Sequence, residues 1–327
     1  MGITGRTSSV ESSPSLYHRF QQSWHRWVLN RCVLRPTRHH LDPVQQIRCQ
    51  LTGDGPSFSP LDCFVHPDPV WKCQHVDRSD VSQRDGWTLS DFGDVPRPDV
   101  LVLKFPGTAG RAERSTAAPA DWLTTPTKTW SVAASATKPP TTEVWTWNPP
   151  GYGKSPGKAC LSGYVPAAER FARLVVQSRA REDSMVWLVG NSLGCLPALA
   201  LGSRPTWSDG HHVGLWLRNP PDLATVVRRI ARRWYAERWM TRVTDRLPAE
   251  LRSLETASEC RFPAVFLMSE LDTLVPPDVQ KTVQDAYAGD KKVVPLPGIG
   301  HDGLLDDRHL DNVAAAAAWL HQTLSTR

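Results

Sequence analysis

The chain has 327 residues, 40% of them hydrophobic, enough for a substantial core in one large domain or two small ones. Its formal net charge of +5 comes from 38 basic and 33 acidic residues without a lysine block, so charge gives no reason to expect nucleic-acid binding. No apolar run approaches the roughly 20 residues of a membrane-spanning helix. The seven cysteines form no C-x-x-C pair and leave an odd one, which speaks against a complete disulfide framework.

The first residues lack the apolar stretch of a secretory signal, and Met1-Gly2 is followed by Arg6 where a myristoylation signal wants Ser or Thr. A reducing, cytoplasmic setting is the expectation. Residues 1–60 read as an N-terminal extension rich in Ser, Arg, Gln and His, with no acidic residue between Glu11 and Asp42. Within it Phe20, Trp24, Trp27 and Val28 fall at helical spacing, with Arg19, Arg26, Arg31 and Arg35 interleaved. Residues 16–35 are therefore expected to form a basic amphipathic helix. Its large aromatic rings favour packing on the rest of the chain; lying on a membrane surface and remaining a disordered, targeting-like segment are the alternatives.

Residues 61–92 hold short segments suited to antiparallel pairing, ending in Asp85-Gly86-Trp87-Thr88-Leu89. From Val100 onward strand and helix patterns alternate, the signature of a mostly parallel sheet with crossover helices on both faces. Strands are expected at 100–105, 143–147, 185–189, 212–217, 264–268 and 292–295. Helices are expected at 166–180, 195–201, 222–239, 277–288 and 309–324. The span 118–142, rich in Thr, Ala and Pro, reads as a loop after a short helix.

The chemistry concentrates at three places. The apolar run Met185–Val189 enters Gly190-Asn191-Ser192-Leu193-Gly194, and an apolar helix candidate follows. This is the sequence form of a strand–turn–helix in which the turn lifts a serine hydroxyl to the top of the sheet. A serine needs an adjacent base, itself oriented by a carboxylate. Past the strand candidate at 264–268 stands Asp272, with Glu270 two residues away as the competing acid. Past the strand at 292–295, Gly298-Ile299-Gly300 presents His301. Both groups lie beyond the C-terminal ends of strands, where open α/β sheets bind ligands. For the oxyanion, one donor is expected from the N–H of Leu193. The second should come from the loop Phe105-Pro106-Gly107-Thr108, where Pro106 has no N–H; Thr108 is the first choice and Gly107 the second.

From about residue 61 to the C-terminus the chain resembles the α/β-hydrolases. The resemblance rests on Asp85-Gly86-x-x-Leu89, Phe105-Pro106-Gly107, Asn148-Pro149-Pro150-Gly151-Tyr152-Gly153-Lys154-Ser155, the turn at Ser192, Asp272 and His301, all in family order. The Gly-Tyr-Gly-x-Ser loop is similar to that of the lysophospholipase-like and serine-aminopeptidase-like branch. One departure is Pro106-Gly107, where the family often has His-Gly. Relatives that are dehalogenases or epoxide hydrolases use aspartate as nucleophile, and dienelactone hydrolases use cysteine. Serine at 192 thus implies acyl chemistry on an ester, thioester or amide.

Other signals read blandly. Gly151-Tyr152-Gly153-Lys154-Ser155 mimics the end of a phosphate-binding loop, but Asn148 stands where that pattern needs glycine, and Pro149 and Pro150 remove backbone donors. A loop supporting the active site is the better reading. The pairs His39-His40 and His211-His212 have no partner at metal-ligand spacing. Cys195 is expected as a small buried thiol. Val227, Ile230, Ala231 and Trp234 form an apolar stripe flanked by Arg228, Arg229, Arg232 and Arg233, and the arginine face is expected to be solvated rather than to attract anionic lipid or acid.

The sequence therefore suggests an α/β-hydrolase domain at 61–327 with a small helical cap inserted at about 220–255. Its expected activity is serine hydrolysis of a small-molecule acyl substrate by Ser192, His301 and Asp272, with no metal or organic cofactor called for. An acyltransferase or thioesterase on the same triad is the alternative. A non-catalytic binding protein on this scaffold would not require all three residues. Sequence fixes neither the acyl group nor the oligomeric state.

Overall fold

A computed structural model describes residues 27–43, 46–52, 59–68, 85–124, 139–207 and 210–327. Among them a nine-stranded sheet runs in the order β3-β1-β2-β5-β4-β6-β7-β8-β9. The strands are β1 (Ile47–Leu51), β2 (Leu61–His66), β3 (Trp87–Thr88), β4 (Val100–Phe105), β5 (Thr142–Trp147), β6 (Met185–Asn191), β7 (His212–Arg218), β8 (Ala264–Ser269) and β9 (Lys291–Leu296). From β4 through β9 every pairing among these strands is parallel, whereas β2 lies antiparallel to both β1 and β5. Two features differ from the sequence expectation. The sheet starts ahead of residue 61, at Ile47, and β3 pairs parallel to β1 instead of closing an antiparallel hairpin.

Alternation along the strands builds two cores. Leu101, Leu103 and Phe105 face one side with Val186, Leu188, Trp145 and Trp147, while Val100, Val102, Val144, Trp187 and Val189 face the other. The first face is covered by helices Tyr164–Arg179 and Cys195–Gly202, and Leu223–Arg232 and Ser253–Glu259 add apolar side chains to the same core. There Trp147 stacks on Phe171 with ring centroids 5.5 Å apart. The second face takes helix Asp307–Ser325, whose Val313, Ala316, Ala317, Leu320 and Leu324 recur at helical spacing.

The expected helix at 222–239 is two helices, Leu223–Arg232 and Glu237–Thr244, broken where Tyr235 takes φ of +56°. Trp234 falls in that break and is 78% exposed, so it does not continue the apolar stripe of Val227, Ile230 and Ala231. The arginine face is largely paired or solvated: Arg229 meets Asp278 and Arg232 meets Glu237.

Residues 27–33 are helical and pack on the first core, with Trp27 turned to solvent. Leu29 and Leu34 enter the first core with Val28 and Val33 against it, while Trp27 is 61% exposed. Phe20 and Trp24 lie outside the described residues.

The strand order reverses at β4: the chain goes from β4 outward to β5, then returns to place β6 on the other side. Such a switch point opens a crevice at the C-terminal strand ends. Here it sets Phe105, the last residue of β4, beside Gly190 of β6.

Candidate active site

The turn after β6 is built by two glycines. A Cβ on Gly190 would stand 2.5 Å from the Cα of Cys195, and one on Gly194 would fall onto the Phe105 carbonyl oxygen. Neither position tolerates a side chain, so β4, the turn and the following helix pack backbone to backbone. Ser192, at the apex, has φ of +52°, a left-handed conformation that costs a non-glycine residue on the order of 1–3 kcal/mol. Cys195 is buried, as expected, and burial pushes its thiol well above its ordinary range; its Sγ donates to the Arg218 carbonyl.

After β8 the chain turns at Asp272, whose side chain is fully buried. Oδ1 accepts from the N–H groups of Leu274 and Val275 at 2.9 and 2.8 Å. Oδ2 lies 2.6 Å from Nδ1 of His301, which the loop after β9 delivers. An aspartate at that distance makes Nδ1 the protonated ring nitrogen and leaves Nε2 as an acceptor. Glu270 points elsewhere and accepts from the Gly298 N–H at 3.1 Å.

Ser192, Leu193, Gly107, Thr108 and His301 all line one cleft of about 370 Å³. Gly107 abuts the turn at Ser192: a Cβ there would be 3.2 Å from the Asn191 carbonyl oxygen and 3.5 Å from the Ser192 Cβ. Apolar walls come from Leu223, Val226, Val227 and Ile230 on one helix and from Leu274 and Val275 beyond Asp272.

Several residues that hold this geometry carried no local signal. Asn219, itself at φ +52°, accepts from Ser269 N–H and donates to the His301 carbonyl, tying the ends of β7 and β8 to the histidine loop. Gln280 donates to Val275 O at 2.7 Å and approaches Asp272 Oδ2 at 3.3 Å. The loop at 151–155, expected from the sequence to support the site, is tied to the loop at Thr108. The Tyr152 hydroxyl donates to the Thr108 carbonyl and that of Tyr164 to the Pro106 carbonyl, both at 2.8 Å. Burial raises both phenols, Tyr152 to about 12, so both stay protonated donors. A buried network anchors the same loop: Asp62 takes Arg48, Asn148 and the Lys154 N–H, and Ser155 donates to the Asn148 carbonyl. Gly153 adopts φ +49° with no room for a Cβ beside Asn148.

Among the described residues no group of three or more His, Cys, Asp or Glu is placed to hold a metal ion. His40 of the first histidine pair contacts Asp42 at the surface. None of the described helices is long and apolar enough to cross a membrane.

Compared with models of known protein families and with curated protein sequences, the chain matches none. Solved structures do match. An esterase of Pyrococcus furiosus, Pf2001, superposes with a TM-score of 0.54 at 12% identity, over 89% of this chain and 98% of that one. Est1E of Butyrivibrio proteoclasticus, with ferulic acid bound, gives 0.51 at 15% identity over 82% and 97%. A putative hydrolase of Agrobacterium vitis gives 0.51 at 15% over 85% and 99%. The chain has the α/β-hydrolase fold.

Proposed function

We propose that this α/β-hydrolase-fold chain is a serine hydrolase that cleaves a carboxylic ester or a related acyl bond through an acyl-enzyme. Ser192 Oγ attacks the carbonyl carbon while His301 Nε2 takes its proton. The tetrahedral oxyanion is held by the N–H groups of Leu193 and Thr108. Collapse breaks the bond to the leaving group, which takes the proton from His301. Water, deprotonated by the same imidazole, then releases the acid and restores Ser192. Asp272 fixes the ring tautomer and stabilises the imidazolium formed in each half-reaction.

The observation that carries this reading is the 2.6 Å contact of Asp272 with His301, in a cleft shared with a serine held at positive φ. Structural turns need neither the strain nor the buried acid–imidazole pair. Helix Leu223–Arg232 belongs to a cap over the site, and its apolar side chains suit a small acyl group with a modest apolar body. Esterases among the structural neighbours agree with ester cleavage.

The test is covalent labelling by an organophosphonate probe, with peptide mapping. Ser192 is the expected adduct, and Ser192→Ala, still folded, should take up none. Equal labelling of the two proteins overturns the assignment.

A further inference from the structure

Pro106-Gly107-Thr108-Ala109-Gly110 is a poor candidate for a rigid donor loop on its own. Two glycines within five residues leave it conformationally permissive, and its internal tie among the backbone contacts is the Gly110 N–H to the Gly107 carbonyl at 3.0 Å. Oxyanion stabilisation depends on donors fixed before the reaction begins, because reorganising them during it costs most of the benefit. The loop's rigidity must come from outside.

Much of it comes from the segment at 29–43. The Thr108 hydroxyl donates to the Val33 carbonyl. The Arg35 N–H donates to the Thr108 carbonyl at 3.3 Å, and Tyr152 donates to the same oxygen. Thr108 thus has its side chain and its carbonyl engaged by neighbours, with its N–H on the cleft loop. The segment is itself anchored at both ends. Leu29 and Leu34 are buried in the main core, and Asn30 Oδ1 accepts from Leu161 N–H at 2.9 Å. Further along, the Thr37 carbonyl accepts from Gly153 N–H at 2.9 Å, Arg38 reaches the Gly151 and Gly157 carbonyls, and Arg111 reaches the Thr37 and His39 carbonyls. Cys32, Val33 and Arg35 also line the cleft that contains Ser192.

We infer that residues 29–35 form a strap that positions the second oxyanion donor, so that this N-terminal segment is part of the catalytic apparatus rather than an appendage packed on it. The inference rests on the serine-hydrolase reading. Val33, Arg35 and Tyr152 act through Thr108 and are positioning residues. The strap holds the donor without touching the substrate carbonyl, so loosening it weakens the transition state more than the bound ester.

The experiment measures kcat and KM for p-nitrophenyl butanoate, and the rate of phosphonate labelling, on the full chain. Thr108→Val keeps shape and N–H but deletes the hydroxyl that grips Val33. It should lower kcat roughly 10- to 100-fold with KM changed less than about threefold. Thr108→Ser, which restores a hydroxyl, should recover most of that loss. Leu29→Ala with Leu34→Ala, which loosens the anchors, should show the same kcat-selective fall, while Trp27→Ala on the solvent side should not. Wild-type activity with full kcat in Thr108→Val overturns the strap and leaves the hydrolase reading standing. Equal kcat in Thr108→Val and Thr108→Ser overturns it too. A wild-type chain that neither turns over the ester nor takes the phosphonate removes the hydrolase reading, and the strap's role with it.

Discussion

Gln280 Nε2 stands 3.3 Å from Asp272 Oδ2, the same oxygen that meets the His301 ring at 2.6 Å. The acid is therefore gripped from both sides, its other oxygen being held by the N–H groups of Leu274 and Val275. Such a cradle fixes the carboxylate's direction and leaves its negative charge to the imidazole.

Asp272→Asn should preserve the shape of that cradle but present an amide to Nδ1, favouring the wrong tautomer of His301. Esterase kcat is expected to fall on the order of 10⁴-fold. Glu270→Gln, whose native carboxylate accepts from the Gly298 N–H and not from the His301 ring, should cost less than about tenfold. Steady-state kinetics on both variants, with phosphonate titration of active sites, decides it; the reverse ranking would mean that Glu270 is the acid.

Gly194→Ala drives a methyl group into the Phe105 carbonyl oxygen. Overpacking of this kind usually costs about 1–3 kcal/mol. A backbone oxygen cannot move aside as a flexible side chain can, so the upper end is expected. Thermal melts should show a fall of several degrees, and Ser192 labelling should slow because the β4 and β6 ends are pushed apart. An alanine variant with wild-type melting and labelling contradicts the backbone-to-backbone packing described above.

Arg179 and Glu143 form an ion pair at 2.8 Å, each side chain 2% exposed. The guanidinium also donates to the carbonyls of Phe92, Val95 and Pro96, and Glu143 accepts from the Trp145 indole at 2.6 Å. Arg179→Ala strands a buried carboxylate and three carbonyls at once, and should destabilise the fold by about 3–5 kcal/mol. Urea unfolding measures this. Neither residue lines the cleft that holds Ser192, so the variant's folded fraction should still take the phosphonate at Ser192.

Lys104, on β4, donates to the Thr116 and Ala118 carbonyls at 2.8 Å, and burial lowers its pKa from 10.5 to about 8, opposed by the charge of Asp121. The folded chain releases this proton near pH 8 while the unfolded chain keeps it to about 10.5. Between those values the unfolded state binds more protons, so this group makes stability rise with pH; below pH 8 it contributes no slope. Lys104→Met removes the contribution. The difference in melting temperature, wild type minus variant, should be flat from pH 6 to about 8 and climb from there to about 10. A flat difference throughout would show that the lysine is not desolvated.

The parallel half of the fold was legible because most strands from β4 to β8 are dominated by buried apolar residues, and the expected strands from β4 onward end within two residues of where the sheet has them. The cleft residues were legible because a serine in a glycine turn, an acid and a histidine each follow such a run. What escaped has a common cause. β1 reads Ile-Arg-Cys-Gln-Leu, and its alternating polar positions hid it, since Arg48 is stabilised by Asp62 and Phe64 of the neighbouring strand and by Asp85, none of them close in sequence. The break after Arg232 depends on a left-handed Tyr235, a residue type that gives no warning of it. Asn219 and Gln280 act largely through contacts with backbone groups, Asn219 with Ser269 and His301 far along the chain, and a backbone group leaves no mark in the letters around it. At 27–34 the expected packing comes from Leu29 and Leu34 with Val28 and Val33 beside them, while Trp27 stays in solvent, because burial there is decided by the aliphatic residues.

The strap has a kinetic consequence. Its contacts join residues separated by long stretches of chain: 75 positions between Val33 and Thr108, and 131 between Asn30 and Leu161. Each closes a large loop, and long-range closures of this kind slow folding far more than they alter stability. The pairing of β2 with β5 joins Cys63 to Trp147 over a comparable span, so the strap adds to a share of non-local contacts that the antiparallel end of the sheet already makes large.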